Sequence, residues 1–433
     1  MGKKICCGAF LALFLAICLT LSLGTWILGP SRAGANEQLS KPPVLRDRDG
    51  FNDGFLGDTA SWMNDHFALR QQLISLDHRL STGLFGVSGS DSVLAGRDGW
   101  LFYASTLSDY TGLAPMSPRE LYSAARNLYL MQSQCRDFAF MIAPNKNSLY
   151  PRFMPRTGVR AEEHDAHRLM EMLREMGVAY IDLYGAFAPE PVLYYATDSH
   201  WDPRGAALAA DLINREFGRE SRYYDGPFRQ EAYTGDLYQM LYPAFSGGEQ
   251  APVYDGALDF SYVGKATQPD SIRLETASRN PGSILVYRDS FGNLLYPYLA
   301  DSYGSARFSR STAYDLTGDA DHVLIELVER NLRYLITNVP VSASPQVQVT
   351  LPKSSGSREI TPDPKAKAPE GLTLWRGTVE TDPESPVYVV CGGQVYEAYL
   401  MEDNGFAVYL PEGETPEALG YQSGGSFVTD ERK

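Results

Sequence analysis

Between Ile5 and Gly29 the chain carries no charged residue. The run is 25 residues long, against the roughly 20 that cross a bilayer as a helix. Everything downstream is placed relative to it. Lys3 and Lys4 precede the run and Trp26 lies near its far end. Lysines on the short leading side hold the N-terminus in the cytoplasm, and an aromatic suits the opposite interface. A cleaved signal peptide is the competing reading, with Ala33-Gly34-Ala35 as its cleavage site. The run exceeds the about 7–15 apolar residues of such a peptide, which favours an uncleaved anchor. A lipoprotein reading of Cys18 is disfavoured by the bulky Ile17 before it. The expectation is a single-pass cell-membrane protein with most of its chain extracytoplasmic.

The 53 acidic residues outnumber the 38 basic ones, for a net charge of −15. Nucleic-acid partners are excluded on that balance, because phosphate binding needs a basic face. A bare anionic lipid surface would also repel most of the chain. Outside the apolar run only Cys135 and Cys391 remain, as a pair or as two thiols, and no Cys/His spacing suited to zinc occurs. No metal or cofactor is expected.

The pattern predicts a tether over 30–49 after the anchor of 1–29, an α/β domain over 50–342 and a small β domain over 345–433. Ser117-Pro118-Arg119-Glu120 is a capping box with proline at the first helical position, and Leu121, Ala124, Ala125, Leu128 and Met131 follow at helical spacing. Phe138 to Ala143 reads as a buried strand, residues 161–176 as a helix ending at Gly177, and Val178 to Leu183 as the next strand. Asp202-Pro203 starts a helix through Ile213; Ser283 to Tyr287, His322 to Val328 and Tyr334 to Thr337 complete the strands. Strands separated by helices imply βαβ units and a mostly parallel sheet flanked by helices. After a Ser/Pro/Lys-rich stretch, short strand-like runs around Leu372, Val387, Tyr396 and Phe406 suggest a β-sandwich.

Two segments carry chemistry. Val286-Tyr287-Arg288-Asp289-Ser290-Phe291-Gly292-Asn293 follows a buried strand and leads into a helix. A serine at such a turn exposes its hydroxyl beside free backbone N–H groups that can hold an oxyanion. It also serves equally well as a plain helix cap. In Asp198-Ser199-His200-Trp201 the acid and the imidazole are two residues apart, so in an extended segment both point the same way. Asp198 would then fix the tautomer of His200, leaving the second ring nitrogen for Ser290.

Several short segments, in order over roughly residues 50–340, resemble the DHHW family and the AlgJ/AlgX-like proteins of polysaccharide O-acetylation, which have permuted SGNH-hydrolase-like domains. They are Asp65-His66-Phe67-Ala68-Leu69-Arg70, Gly96-Arg97-Asp98-Gly99-Trp100-Leu101-Phe102, Pro144-Asn145-Lys146 with Tyr150-Pro151, Asp198-Ser199-His200-Trp201, Gly235-Asp236-Leu237, Asp289-Ser290-Phe291-Gly292-Asn293 and Glu329-Arg330-Asn331-Leu332. Serine replaces the first His of the naming motif, and Arg288 stands where SGNH enzymes have Gly. The resemblance implies Ser290 as nucleophile, His200 as base and Asp198 as its orienter. It further implies a membrane-bound acyltransferase of the MBOAT type as acyl donor.

Around that trio, Asn145 and Asn147 are candidate oxyanion donors, each equally suited to a loop hydrogen bond. Lys146 is a candidate for an anionic sugar, Trp201 for sugar stacking, and Arg288 and Phe291 for the substrate. His164 and His167 have metal-compatible spacing beside Asp165, but a solvated helix face is the favoured reading. Asp47, Asp49, Asn52 and Asp53 fail the EF-hand pattern and read as an acidic turn. The expected function is O-acyl transfer to, or O-acetyl hydrolysis from, a cell-surface polysaccharide. The alternative is a catalytically silent glycan-binding or envelope scaffold.

Overall fold

The computed structural model describes residues 2–31, 33, 38–47, 50–155 and 159–433. Gly34, Ala35 and Asp49 of the motifs above lie outside them. Helix α1 spans Gly2–Leu28; much of its side-chain set, including Cys6, Cys7 and Cys18, is also outside. Among the described residues no helix is long and apolar enough to cross a membrane.

The central elements follow in chain order: α2 Pro118–Ser133, β1 Phe138–Ala143, α3 Asp165–Met176, β2 Tyr180–Ile181, α4 Pro203–Glu216, β3 Phe260–Tyr262, β4 Arg273–Ser278, β5 Ser283–Tyr287, α5 Gly292–Ser302, β6 Ser305–Ser309 and β7 His322–Val328. They form a seven-stranded sheet in the order β2-β1-β7-β5-β6-β4-β3. The pairings from β2 to β6 are parallel; β4 and β3 continue the edge antiparallel. The sheet is therefore mixed, with a parallel body.

Its two faces follow from strand periodicity. Ala139, Met141, Ala143, Ile284, Val286 and Leu324 point to the side packed by α4 and α5. Phe138, Phe140, Ile142, Leu285, Val323 and Ile325 point to the side packed by α2 and α3. Both faces are buried, so these strands read as continuous apolar runs. Local signals set the helix ends. Ser117 and Glu120 close the capping box on α2. The Asp202 carboxylate caps α4 by accepting from the N–H groups of Arg204 and Gly205. Gly177 ends α3 at φ 69°, a left-handed value glycine adopts without penalty.

Three local expectations differ. Val178 to Leu183 contributes only the two-residue β2, because Asp182 caps a short helix at Leu183–Phe187. Tyr334–Thr337 is a helical turn, not a strand. His164 is buried rather than on a solvated face: its Nδ1 sits 3.1 Å from the Asp109 carbonyl, beside Arg160. Cys135 and Cys391 are both free thiols.

Residues 346–432 form two facing sheets. One has six strands, Gly356–Arg358 and Ser426–Arg432 at one edge; the other has four, centred on Leu372–Thr378 and Gly405–Pro411. This sandwich is not separate from the α/β body. Leu374, Tyr399, Ala407 and Tyr409 share the core under α2. The fully buried Asn127 of α2 donates to the carbonyls of Leu335 and Leu400 at 2.9 and 2.7 Å and accepts from Leu400 N–H at 2.8 Å. One residue earlier, Arg126 pairs bidentately with the buried Glu397.

Asn127→Leu removes three hydrogen bonds and strands buried backbone groups, each worth about 1–3 kcal/mol. The substitution is expected to cost about 3 kcal/mol or more in denaturant unfolding, with the body and the sandwich still melting together. Two separate transitions in the parent protein would contradict the shared core.

Candidate active site

The site lies beyond the C-terminal ends of the parallel strands, where the chain leaves β1 at Asn145-Lys146, β5 at Ser290 and β7 at Glu329-Arg330. Open α/β sheets place their ligands at this edge.

Ser290 sits on the turn between β5 and α5. Asp289 shapes the turn: its Oδ1 accepts from Phe291 N–H at 2.9 Å, and its Oδ2 from Val328 N–H and Asn331 Nδ2 at 2.8 and 3.0 Å. A Cβ on Gly292 would meet Arg288 side-chain carbons at 2.4 and 2.7 Å, so this position needs glycine for close approach. The buried Trp201 donates its indole N–H to the Phe291 carbonyl at 3.1 Å, tying the histidine segment to the serine turn.

The segment from Tyr195 to His200 is irregular and depends on side chains for its shape. Lys146 lies under it, buried, with Nζ donating to the carbonyls of Tyr195, Ala196 and Asp198 at 3.1, 3.0 and 2.7 Å. The rings of Trp100 and Phe102 lie 5.1 Å from the same nitrogen. Burial pulls this ammonium down to about 7, against the attraction of Asp198, Glu249 and Asp236. From the other side the Glu249 carboxylate accepts from Ala196 N–H, Thr197 N–H and Thr197 Oγ1. Asp236 accepts from Ser199 N–H and Oγ. A Cβ on Gly235 would fall 2.2 Å from the Thr197 carbonyl oxygen, which explains the glycine before Asp236.

This scaffold brings Ser290, His200 and Asp198 together. Ser290 Oγ is 2.9 Å from His200 Nε2, and His200 Nδ1 is 2.7 Å from Asp198 Oδ1. Asp198 Oδ1 also accepts from His200 N–H at 3.0 Å; its Oδ2 accepts from Tyr233 OH at 2.7 Å and Asp236 N–H at 2.9 Å. Burial alone would raise the Asp198 carboxyl. The hydrogen bond and charge of His200, with the Asp236 and Tyr233 donors, instead hold it well below the usual range. His200 moves the other way. Burial works against its charge, but Asp198 and then Asp236 raise it above the ordinary imidazole value. Asp198, His200 and Asp236 are close enough to surround a cation. The carboxylate oxygens are nonetheless already met by N–H and O–H donors.

Around the trio opens a cavity of about 750 Å³, lined among others by Tyr103, Tyr195, Tyr233, Asp236, Asp270, Arg310 and Arg330. None of Asn145, Asn147, Lys146, Trp201, Arg288 and Phe291 lines it. Asn145 donates to Asp109, and Asn147 to Thr106. Lys146 and Trp201 serve the loops as described. The Phe291 ring supports His200 at 4.8 Å, while Arg288 borders a second cavity on the far side of Ser290. Oxyanion donors also narrow. Phe291 N–H is taken by Asp289, and Asn293 N–H by the Ser290 carbonyl. The N–H groups of Ser290 and Gly292 are uncommitted among the described residues.

Arg330 enters the site without a sequence signal beyond its motif. Its guanidinium is 5.6 Å from the ring centroids of Phe291 and Tyr103, with Nη1 3.4 Å from Asn145 Oδ1, and it faces the cavity. Tyr233 was equally silent: it lies 35 residues from the Asp198 it supports.

Removing the Asp236 charge has a defined sign. An NMR titration of His200 is expected to show a midpoint above the free value of about 6.5. Asp236→Asn should move that midpoint down. An unchanged midpoint would mean that Asp236 is not felt by the imidazole.

Residues 93–252 match the family model described as the SGNH hydrolase-like domain of acetyltransferase AlgX. The probable alginate O-acetylase AlgJ of Pseudomonas syringae pv. tomato is 24% identical over 257 residues. That match covers 55% of this chain and 61% of the relative's length. A DHHW family protein from Eubacterium siraeum is 15% identical at a TM-score of 0.42, over 58% of this chain and 97% of its own. The O-acetyltransferase domain of Pseudomonas putida AlgJ is 18% identical at 0.37, over 57% and 93%. Over residues 93–252, then, the chain carries a domain similar to the SGNH hydrolase-like domain of acetyltransferase AlgX.

Proposed function

We propose that the chain is an extracytoplasmic O-acyltransferase or O-acetylesterase acting on a cell-surface polysaccharide, working through Ser290, His200 and Asp198. The observation that carries this reading is the continuous line Ser290 Oγ–His200 Nε2, His200 Nδ1–Asp198 Oδ1, at 2.9 and 2.7 Å. The similarity to a domain described as an acetyltransferase supports an acyl-transferring enzyme.

The chemistry proceeds in two halves. Ser290 Oγ attacks the donor carbonyl carbon while His200 Nε2 takes the hydroxyl proton. The bond to the leaving group then breaks, the leaving oxygen receives that proton, and an acyl-Ser290 remains. In the second half an acceptor hydroxyl, from sugar or water, loses its proton to His200 and attacks the acyl carbon. Ser290 Oγ leaves with the proton. Asp198 holds the imidazole in the tautomer both halves need. Negative charge on the carbonyl oxygen is met by the N–H groups of Ser290 and Gly292, with Arg330 on the cavity side.

A cavity walled by tyrosines, carboxylates and arginines suits a hydroxyl-rich polymer. The relative's name supports a polysaccharide acceptor. The uncharged Ile5–Gly29 run supports membrane anchoring with the catalytic domain of 50–342 outside the cell. A membrane-bound acyltransferase of the MBOAT type would supply the acyl group. A silent scaffold would leave the buried, four-donor support of Asp198 without a purpose.

Incubating the chain with 4-nitrophenyl acetate and weighing it intact tests this directly. One acetyl group is expected on Ser290, absent in Ser290→Ala and reduced on the order of 10³-fold or more in rate for Asp198→Asn. Equal acetylation of Ser290→Ala would remove Ser290 as nucleophile. Adding candidate glycans to the acetylated protein then separates transfer from hydrolysis.

A further inference from the structure

The helix Arg70–Phe85 is packed with its apolar face outward. Leu69, at its N-cap, and then Leu73, Leu76, Leu80 and Leu84 recur at steps of three or four residues and so share one face. All five are exposed, between 41% and 71%. The opposite face is polar, and it is the one turned to the protein. Ser75 is buried, and its Oγ accepts from Ala244 N–H at 3.0 Å. His78 Nδ1 lies 2.6 Å from the Leu241 carbonyl oxygen. Thr82 Oγ1 is buried with no hydrogen-bond partner among the described residues. A helix meant to meet water would be turned half-way round, with the leucines inside. The preceding helix, Phe55–His66, buries no residue and exposes Leu56 and Met63 two turns apart.

What covers the leucines follows from where the helix begins. Near the far end of α1, Thr25 Oγ1 accepts from Ala68 N–H at 2.9 Å, and just beyond it Ser31 N–H donates to the His66 carbonyl at 3.0 Å. A Cβ on Gly24 would come within 3.2 Å of the Ala68 Cβ. The turn before Leu69 is thereby held at the level of Trp26, the aromatic suited to a membrane–water interface. From that level the helix runs 16 residues, about 24 Å, with the body on one side and the leucines on the other. A second helix is the rival occupant, since Leu69, Leu73, Leu76 and Leu80 have the spacing of a coiled-coil seam. The helix is little more than two heptads long, short of the about 3–4 that sustain such a seam. Arg70 and Asp77 on the helix are of opposite sign, and the chain is acidic overall, so attraction to anionic headgroups is not what the stripe offers. It offers apolar area.

We infer that the leucine face of Arg70–Phe85 lies on the outer surface of the lipid bilayer, with its side chains in the acyl boundary, and seats the body of the protein against the membrane. The inference rests on the anchoring proposed above and adds a second, lateral contact to it. That contact is apolar and does not require charged lipid.

The test uses the full chain reconstituted into phosphatidylcholine vesicles, with the photo-crosslinker p-benzoylphenylalanine replacing Leu76 or Leu80. Both positions are exposed, so the probe leaves the core intact. The same probe at Glu412, exposed on the C-terminal sandwich, is the reference. Vesicle flotation first reads anchoring, and intact mass after irradiation then reads what the helix touches. The mass of one phosphatidylcholine is expected on the chain, at a yield on the order of ten-fold or more above that from Glu412, as for a side chain in the acyl boundary against one in water. Replacing half of the lipid by phosphatidylglycerol should leave that yield unchanged within about two-fold. Equal lipid capture from Glu412 overturns the assignment of the leucine face. A product of two chains, in place of the lipid adduct, overturns it in favour of a second copy. A chain that floats with the vesicles but captures no lipid overturns the lateral contact and leaves the anchor standing. A chain that does not float removes the anchoring, and the lateral contact with it.

Discussion

One buried ammonium group organises this site. Lys146 satisfies its three N–H donors with three backbone carbonyls of a single loop, and it does so between two aromatic rings. Placing a charge there costs desolvation, which only close, well-directed acceptors offset. The segment Tyr195–His200 has almost no regular backbone pairing beyond one bridge, Tyr194 to Trp201. Without the lysine three carbonyls would face each other across a dry gap. The spacing of Asp198 to His200 is therefore inherited from a residue that touches neither reacting atom.

From that anchor the order of dependence runs outward. The loop fixes Asp198, Asp198 fixes the ring of His200, and Trp201 carries the register across to the serine turn. The serine turn is fixed from behind by Asp289, which reads the position of β7 through Val328 and Asn331. Three parallel strands thus determine three groups, each through a short loop and a buried polar contact. The fully buried Glu326, raised well above a normal carboxyl by burial and by Asp289, accepts from the Asp289 N–H beneath the turn.

The sequence made the skeleton legible where local physics decides. The capping box at Ser117, the Asp202-Pro203 start and the all-apolar Phe138–Ala143 run appear in the structure within a residue or two. The two-residue spacing put Asp198 and His200 on one side of their segment, and only the family resemblance implied that Ser290 meets them. What could not be read is held by long-range contacts. Lys146 looked like a ligand group because its acceptors are backbone atoms about fifty residues away. Tyr233 joins the site only through the fold, and Arg330, flagged only by its short segment, gains its place facing the cavity there. Val178 to Leu183 fits a strand by composition, yet the cap at Asp182 prevails after two residues. The C-terminal run looked independent because a Ser/Pro/Lys-rich stretch precedes its short strand-like segments, and such a stretch is silent about which surface those strands meet.

That last contact has a consequence in time. Helix α2 buries one face on the central sheet and hands Asn127 to Leu400, 273 residues later. A chain emerging from its N-terminus at about 5–20 residues per second leaves that asparagine waiting on the order of tens of seconds. Over the same interval the apolar face that α2 will share with Tyr399 and Tyr409 has no cover. The cover of this α2 face therefore comes from residues made long after the helix itself.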